Sequence, residues 1–155
     1  STKLFAGTLR DNLIFGMIGI SDEQIIEACK LSGLIGLINA LPNGLDTVVP
    51  EGGESVSGGQ KQLIALTRMI VANKKIILLD EPTASMDEGT EKQIITMLKN
   101  RMDSNQTMIV VTHKPIVLNM VDRIIVLTPN GIAIDDTKEE VLNKLSAPKN
   151  IVAKV

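Results

Sequence analysis

The sequence predicts an α/β fold, in which a mostly parallel β-sheet is flanked by helices and joined to a helical subdomain. Two observations carry this prediction. From residue 57 onward, continuous apolar runs of strand length alternate with amphipathic helices, which is typical of a parallel sheet covered on both faces. Residues 1–56 show helical periodicity and no strand pattern, so we expect them to be helical and without strands.

The helices of residues 1–56 are predicted from their start and stop signals. Ser21 and Gln24 have the spacing of a capping box, which marks the start of a helix. The elements expected here are helices over residues 8–15, 21–32 and 34–41, followed by a Gly-rich loop over residues 45–56.

From residue 57 to residue 145 the pattern changes to alternating helices and strands, and residues 146–155 form a tail without a pattern. Pro129-Asn130-Gly131 predicts a hairpin turn into an antiparallel edge strand. The elements expected in order are helix 59–72, strand 76–79, helix 88–102, strand 108–112, a short helical link 115–120, strand 124–127, strand 132–134 and helix 138–145.

The composition excludes several classes of partner. The net charge is −2 and no segment concentrates Lys or Arg, so we expect no nucleic-acid partner. Aromatic residues make up 1% of the chain, which removes the stacking platforms of single-strand binders. No apolar run approaches the ~20 residues that cross a bilayer.

Ser57-Gly58-Gly59-Gln60 opens the helix over residues 59–72. Two glycines let the backbone approach an anion, and the positive end of the helix, worth roughly +0.5 charge, points to the same place. This turn is therefore a candidate phosphate site. The alternative is an ordinary helix cap with Ser57 as the N-cap residue.

Asp80 and Glu81 follow directly on the apolar strand 76–79, at the end where open α/β sheets place their ligands. Adjacent carboxylates repel each other unless a cation or a proton shares the site. We expect Asp80 to hold Mg²⁺ through its water shell and Glu81 to orient and deprotonate an attacking water. The alternative is a pair of solvated acids in a loop.

His113 is the only histidine and follows the neighbouring strand, so it should face the same sheet edge as Asp80. An imidazole there could donate a hydrogen bond to a γ-phosphate. Asp87 has a simple alternative role as N-cap of the helix over residues 88–102. The sequence contains no Gly-Lys dipeptide and hence no phosphate loop of the G-x-x-x-x-G-K-[ST] kind.

Taken in order, these motifs resemble the nucleotide-binding domain of ATP-binding-cassette (ABC) ATPases. Val56–Gln60 is similar to the LSGGQ signature of that family, and Ile76–Glu81 to its Walker B strand and catalytic glutamate. Ala84–Asp87 resembles the D-loop and His113 the switch histidine. The resemblance covers roughly residues 1–145 and implies part of a P-loop NTPase fold.

Two further segments resemble the corresponding segments of exporters within this family. Leu4–Asn12 is similar to the LF-x-GT-[IL]-R-x-N segment that follows the Q-loop. Thr47–Gly53 resembles the TxVGExG loop that touches the membrane domain, with Pro50 in place of a usual glycine. The overall sequence looks most like that of bacterial type I secretion or bacteriocin exporters.

The resemblance implies an ATPase that uses Mg²⁺, couples ATP hydrolysis to transport, and works at the cytoplasmic face of the bacterial inner membrane. Its implied partners are the transmembrane domain of the same transporter and a second nucleotide-binding domain. It assigns nucleotide contacts to Ser57, Gly58, Gly59, Gln60 and Asp87, the metal contact to Asp80, and the catalytic roles to Glu81 and His113.

Measured against the family, the Walker A loop, the Q-loop glutamine and the adenine-stacking aromatic residue are missing. We therefore expect the chain to be the C-terminal part of such a domain and to be inactive in isolation. One alternative is a non-catalytic interaction module or remnant. Another is a soluble ABC ATPase of DNA repair or chromosome structure, but no sustained heptad pattern supports its long coiled coils.

Overall fold

The computed structural model of the protein describes residues 3–146, whose packing divides into two compact units between His113 and Lys114. The strands of these residues are β1 Gly7–Thr8, β2 Val48–Val49, β3 Ile76–Asp80, β4 Thr107–Val111, β5 Arg123–Thr128 and β6 Gly131–Thr137. The helices are α1 Leu9–Leu13, α2 Asp22–Ser32, α3 Ile35–Ala40, α4 Gly58–Ala72, α5 Glu88–Arg101 and α6 Lys138–Ser146. Short 3₁₀ helices cover Gly44–Asp46, Glu51–Gly53 and Pro115–Met120.

The helices α1, α2 and α3 and the first part of α4 surround one apolar core. α1, α2 and α4 each begin with a capping box, so local sequence fixes where they start. The helices predicted over residues 8–15, 21–32 and 34–41 are confirmed, with shorter ends. The core consists of Leu4, Leu9, Leu13, Ile25, Cys29, Leu34, Ile38, Leu45, Val49 and Ile64.

The expectation that residues 1–56 contain no strand is wrong. β1 and β2 form a short antiparallel ladder that pairs Gly7 with Val49 and Thr8 with Val48. Two residues per strand are too few to show a period of two in the sequence. The buried side chain of Val49, which belongs to the core, holds the pairing in place.

Asn12 and Arg68 tie the first residues of the chain to α4. The Asn12 side chain is fully buried, and its Nδ2 donates to the carbonyls of Phe5 and Thr8, each at 3.0 Å. Arg68 donates to the Asn12 side chain at 2.8 Å and lies over the Phe5 ring, 5.7 Å from its centroid. Burial lowers the pKa of the Arg68 guanidinium. These contacts fix the direction of α4 relative to α1.

β3 and β4 pair in parallel, from Ile76 opposite Thr107 to Asp80 opposite Val111, as predicted. The prediction of cover on both faces does not hold for the described residues. Ile77 is buried, whereas Ile76 and Leu78 are 67% and 72% exposed. The residues that follow β3 and β4 share one sheet edge, and this edge is the site considered below.

The second unit is described by itself. β5 and β6 form the predicted antiparallel hairpin, with a shift in register between Val126 and Leu127. Arg123 and Asp135 lock the pair with two hydrogen bonds of 2.7 and 2.8 Å. Within residues 3–146 we find no helix with the length and apolar character of a membrane span. Of the predicted tail, only Ser146 lies among the described residues, where it ends α6.

Leu13→Ala tests the assignment of the apolar core. Leu13 is 0% exposed, so its truncation should lower the free energy of unfolding by about 2–5 kcal/mol through lost burial and a cavity. The matched control is Ile18→Ala, which removes an equally large side chain that is 98% exposed and should change stability by less than about 0.5 kcal/mol. Chemical unfolding measures both. Equal losses would show that the packing around α1 is misplaced.

Candidate functional site

The first turn of α4 carries the Ser57–Gln60 motif. The Ser57 hydroxyl accepts the Gln60 N–H at 3.3 Å, and the Gln60 side-chain oxygen accepts the Ser57 N–H at 2.9 Å. The helix-cap role of Ser57 is therefore confirmed. The N–H groups of Gly58 and Gly59 belong to the same turn and have no acceptor in the part of the chain that the structure describes. They are the donors that this turn can offer to an anion.

Both glycines also pack against Ser85, in the loop that follows β3. A Cβ on Gly59 would lie 3.1 Å from the Ser85 carbonyl oxygen, and one on Gly58 would lie 3.4 Å from the Ser85 Cβ. The absence of side chains thus lets α4 approach this loop closely. The glycines of the motif have a packing role within the chain, in addition to any role toward a ligand.

Glu81 and His113 meet at the edge of the β3–β4 pair. The Glu81 N–H donates to the Val111 carbonyl at 2.9 Å, which extends the parallel ladder by one step. Its carboxylate accepts hydrogen bonds from the His113 ring Nδ1 at 2.6 Å and from the His113 N–H at 3.1 Å. The Thr112 hydroxyl adds a longer one of 3.3 Å. The structure therefore brings together two of the predicted site residues.

These donors favour the ionised form of the Glu81 carboxyl. The hydrogen bond from the His113 ring is the largest cause that lowers the pKa of the Glu81 carboxyl below its usual value. A carboxylate can only accept, so the Nδ1 that faces it carries the proton. Glu81 is thus ionised at neutral pH, as a proton acceptor must be.

The backbone of Glu81 is unusual as well. Its φ is +45°, in the left-handed region that residues with a Cβ rarely adopt. The Glu81 carbonyl accepts the Ala84 N–H at 3.2 Å and the Gln62 side-chain amide at 3.3 Å. Strained backbone that several contacts hold in place is typical of functional sites.

Asp80 is exposed at the end of β3, and its carboxylate has no hydrogen-bond or ion-pair partner among residues 3–146. Across those residues, no group of three His, Cys, Asp or Glu side chains could enclose a metal ion. One open carboxylate fits Mg²⁺, which commonly keeps several waters and takes its other ligands from substrate phosphates.

Asp87 caps α5. Its carboxylate accepts the Thr90 N–H at 3.0 Å and the Thr90 hydroxyl at 2.6 Å, and these bonds lower the pKa of the Asp87 carboxyl. The cap role that the sequence offers as an alternative is confirmed. Among the described contacts, none joins Asp87, Ser57 or Gln60 to the carboxylates of Asp80 and Glu81.

Sequence reasoning missed Gln62, whose side chain bridges α4 and the loop after β3. The spacing contained a signal for it. Gln62 lies three and four residues after Gly59 and Gly58, and residues so spaced share one face of a helix. Thr112 and Ser85 were also missed, because only the folded structure brings them to Glu81 and to the glycines.

Comparison with known proteins gives a consistent result. Residues 3–84 match the sequence profile of the family described as ABC transporter. The chain is 41% identical over 129 residues to the ABC transporter ATP-binding protein YwjA of Bacillus subtilis, covering 83% of this chain and 22% of that protein. It is 36% identical over 141 residues to the ATP-dependent lipid A-core flippase of Desulfotalea psychrophila, covering 91% of this chain and 24% of the flippase.

A similar fold occurs in a solved structure described as a bacterial Atm1-family ABC exporter with ATP bound. The TM-score is 0.84 at 32% sequence identity, over 94% of this chain and 25% of the exporter chain. The chain thus spans about a quarter or less of the length of these proteins.

His113→Ala should raise the pKa of the Glu81 carboxyl toward its ordinary value, because the variant loses the donor that most favours the charged form. Thr112→Val removes a weaker donor and should raise the pKa less. Titration of the Glu81 side-chain carboxyl carbon by NMR measures both shifts. A pKa that does not change in His113→Ala would show that the 2.6 Å contact does not persist in solution.

Proposed function

The chain belongs to the ABC transporter family, and we propose that it forms part of the ATP-hydrolysing domain of a membrane exporter, with Glu81 as the general base. The observation that carries this proposal is the edge of the β3–β4 pair, where His113 holds the Glu81 carboxylate by a hydrogen bond of 2.6 Å beside the open carboxylate of Asp80. Hydrolysis of a phosphoanhydride needs both a proton acceptor for water and a place for a divalent cation.

In this proposal Glu81 takes a proton from the water that attacks the γ-phosphate. His113 orients the carboxylate through Nδ1, so its second ring nitrogen remains for the phosphate. Donation to both groups at once requires the doubly protonated imidazolium, since a neutral ring has one N–H. Asp80 would hold Mg²⁺ through water, and the cation would neutralise charge on the β- and γ-phosphates.

We assign the Ser57–Gln60 turn and Asp87 to a nucleotide held by a second nucleotide-binding domain. The free N–H groups of Gly58 and Gly59 and the positive end of α4 support an anion at this turn. Its phosphate would come from the partner's ATP, as the family resemblance implies.

Partner and location follow from the same resemblance. We propose that the chain works with the transmembrane domain of the same transporter, at the cytoplasmic face of a bacterial inner membrane. The loop over Thr47–Gly53 supports this, because it presents an exposed Val48 and is tied to the first described residues and to α4. Gly52 donates to the Leu4 carbonyl at 3.0 Å, and its own carbonyl accepts Lys61 Nζ at 2.9 Å.

Proteins similar to this chain have different described roles. One is a lipid A-core flippase and another, from Schizosaccharomyces pombe, is a leptomycin B resistance protein that is 37% identical over 142 residues, 91% of this chain and 10% of that protein. We therefore propose export without naming a substrate, and the narrower resemblance to type I secretion exporters stays a prediction.

Glu81→Gln in the full-length protein should lower ATP turnover by about 10²- to 10⁴-fold, because glutamine keeps the size of the side chain but cannot take a proton. ATP binding should remain. Asp80→Asn should instead weaken Mg²⁺-dependent nucleotide binding. Steady-state hydrolysis and equilibrium binding separate the two effects.

Two outcomes would contradict the proposal. Equal loss of binding in both variants would show that the roles of the two carboxylates are not divided as proposed. Full turnover in Glu81→Gln would favour a non-catalytic module whose motifs have only structural roles.

Ser57→Asp tests the assignment of the turn to the partner's nucleotide. Aspartate caps helices as well as serine does, so the helix should keep its stability while a negative charge faces the phosphate. Ser57→Asn is the matched control, because it keeps a cap without the charge and should cost less binding.

The direct measurement uses a dimer of two differently tagged copies and places the two substitutions either on different copies or on the same copy. Ser57→Asp on one copy and Asp80→Asn on the other should spoil one shared site and leave one nucleotide trapped per dimer. Both lesions on the same copy should spoil both sites. Equal trapping in the two arrangements would leave the turn as a helix cap alone.

A further inference from the structure

We infer that Gln62 is a positioning residue for Glu81. The inference rests on the proposed function, since positioning matters only if Glu81 serves hydrolysis. The Gln62 side-chain nitrogen donates to the Glu81 carbonyl at 3.3 Å, and its side-chain oxygen accepts the Ser85 N–H at 2.9 Å. One amide on α4 thus bonds the loop that follows β3 at two points, Glu81 and Ser85.

The Glu81 backbone needs such a hold. Its φ of +45° is disfavoured for any residue with a Cβ, so contacts with other residues must maintain it. The Val111 carbonyl fixes the Glu81 N–H at 2.9 Å, while Gln62 and Ala84 fix its carbonyl. If φ relaxes to an ordinary negative value, the Cβ and the carbonyl carbon of Glu81 both rotate about the N–Cα bond, so the side chain leaves His113.

The chemistry of the two loop groups selects glutamine. The Glu81 carbonyl needs a donor and the Ser85 N–H needs an acceptor, and a side-chain amide supplies both without a charge. Methionine has a similar length and no strong hydrogen-bonding group. Glutamate keeps the acceptor for Ser85 but, when ionised, cannot donate to the Glu81 carbonyl.

The same helix face also carries the two glycines that pack on Ser85. α4 and the Glu81 loop are therefore joined at two places, by close backbone packing at Gly59 and by the Gln62 amide. The hydrogen bonds of Gln62 are the part of this contact that reaches the backbone of Glu81 itself.

The test is Gln62→Met in the full-length protein, with Gln93→Met as the matched control. Gln93 lies exposed on α5 and belongs to no proposed machinery. Loss of alignment should lower kcat for ATP hydrolysis by about 10- to 100-fold, while KM for ATP and the unfolding midpoint stay at the values of the control. Gln62→Glu should lower kcat at least as far, because it lacks the donor.

A second comparison shows whether Gln62 acts through Glu81. In a Glu81→Gln background, Gln62→Met should cost no further activity in single-turnover hydrolysis. A side chain that cannot take a proton has no base activity that misalignment could reduce. Three results would overturn the inference. They are an unchanged kcat in Gln62→Met, a lowered unfolding midpoint that accounts for the loss of kcat, and a loss of activity in the double variant as large as that in Gln62→Met alone. Absence of ATP hydrolysis by the wild-type protein would instead overturn the proposed function.

Discussion

The close approach of α4 to the loop after β3 is the contact on which the candidate site depends. Gly59 has no room for a Cβ without pressing on the Ser85 carbonyl, and Gln62 bonds the loop at Glu81 and at Ser85. The contact joins two motifs that the proposal assigns to different nucleotides. The Ser57–Gln60 turn faces the nucleotide of the partner, and Glu81 faces the nucleotide of its own domain. A change in the position of α4 therefore reaches the backbone of Glu81 without any further element.

The two neighbouring carboxylates, Asp80 and Glu81, have different surroundings. Glu81 accepts three hydrogen bonds, from His113 and Thr112, which hold its negative charge in a fixed direction. Asp80 has no described partner and faces solvent. A divalent cation therefore finds one carboxylate free and one already occupied. In the proposed function, this difference in environment assigns the metal role to Asp80 and the base role to Glu81.

Most of the fold could be predicted because its signals are local. The capping box at Ser57 fixes the start of α4, and the apolar run of β3 fixes a strand that ends at Asp80. The β1–β2 ladder was not predictable, since pairs of two residues carry no periodicity. The spacing placed Gln62 on the helix face of the two glycines, but its bond to Glu81 and the left-handed backbone of Glu81 were out of reach, because both depend on how α4 packs against a loop about twenty residues later in the chain.

The helix-cap and phosphate-site interpretations of the Ser57–Gln60 turn do not compete for the same atoms. A helix leaves its first four N–H groups without partners inside the helix, and the capping box satisfies only part of this set. The Gln60 N–H is taken by the Ser57 hydroxyl, whereas the donors of Gly58 and Gly59 stay open. The cap thus fixes the geometry of the turn and leaves the two donors that lie nearest to the helix end. The glycines follow from packing as well as from ligand approach. A negative charge introduced at position 57 separates the two roles, because it opposes an anion at the open donors and leaves the helix cap in place.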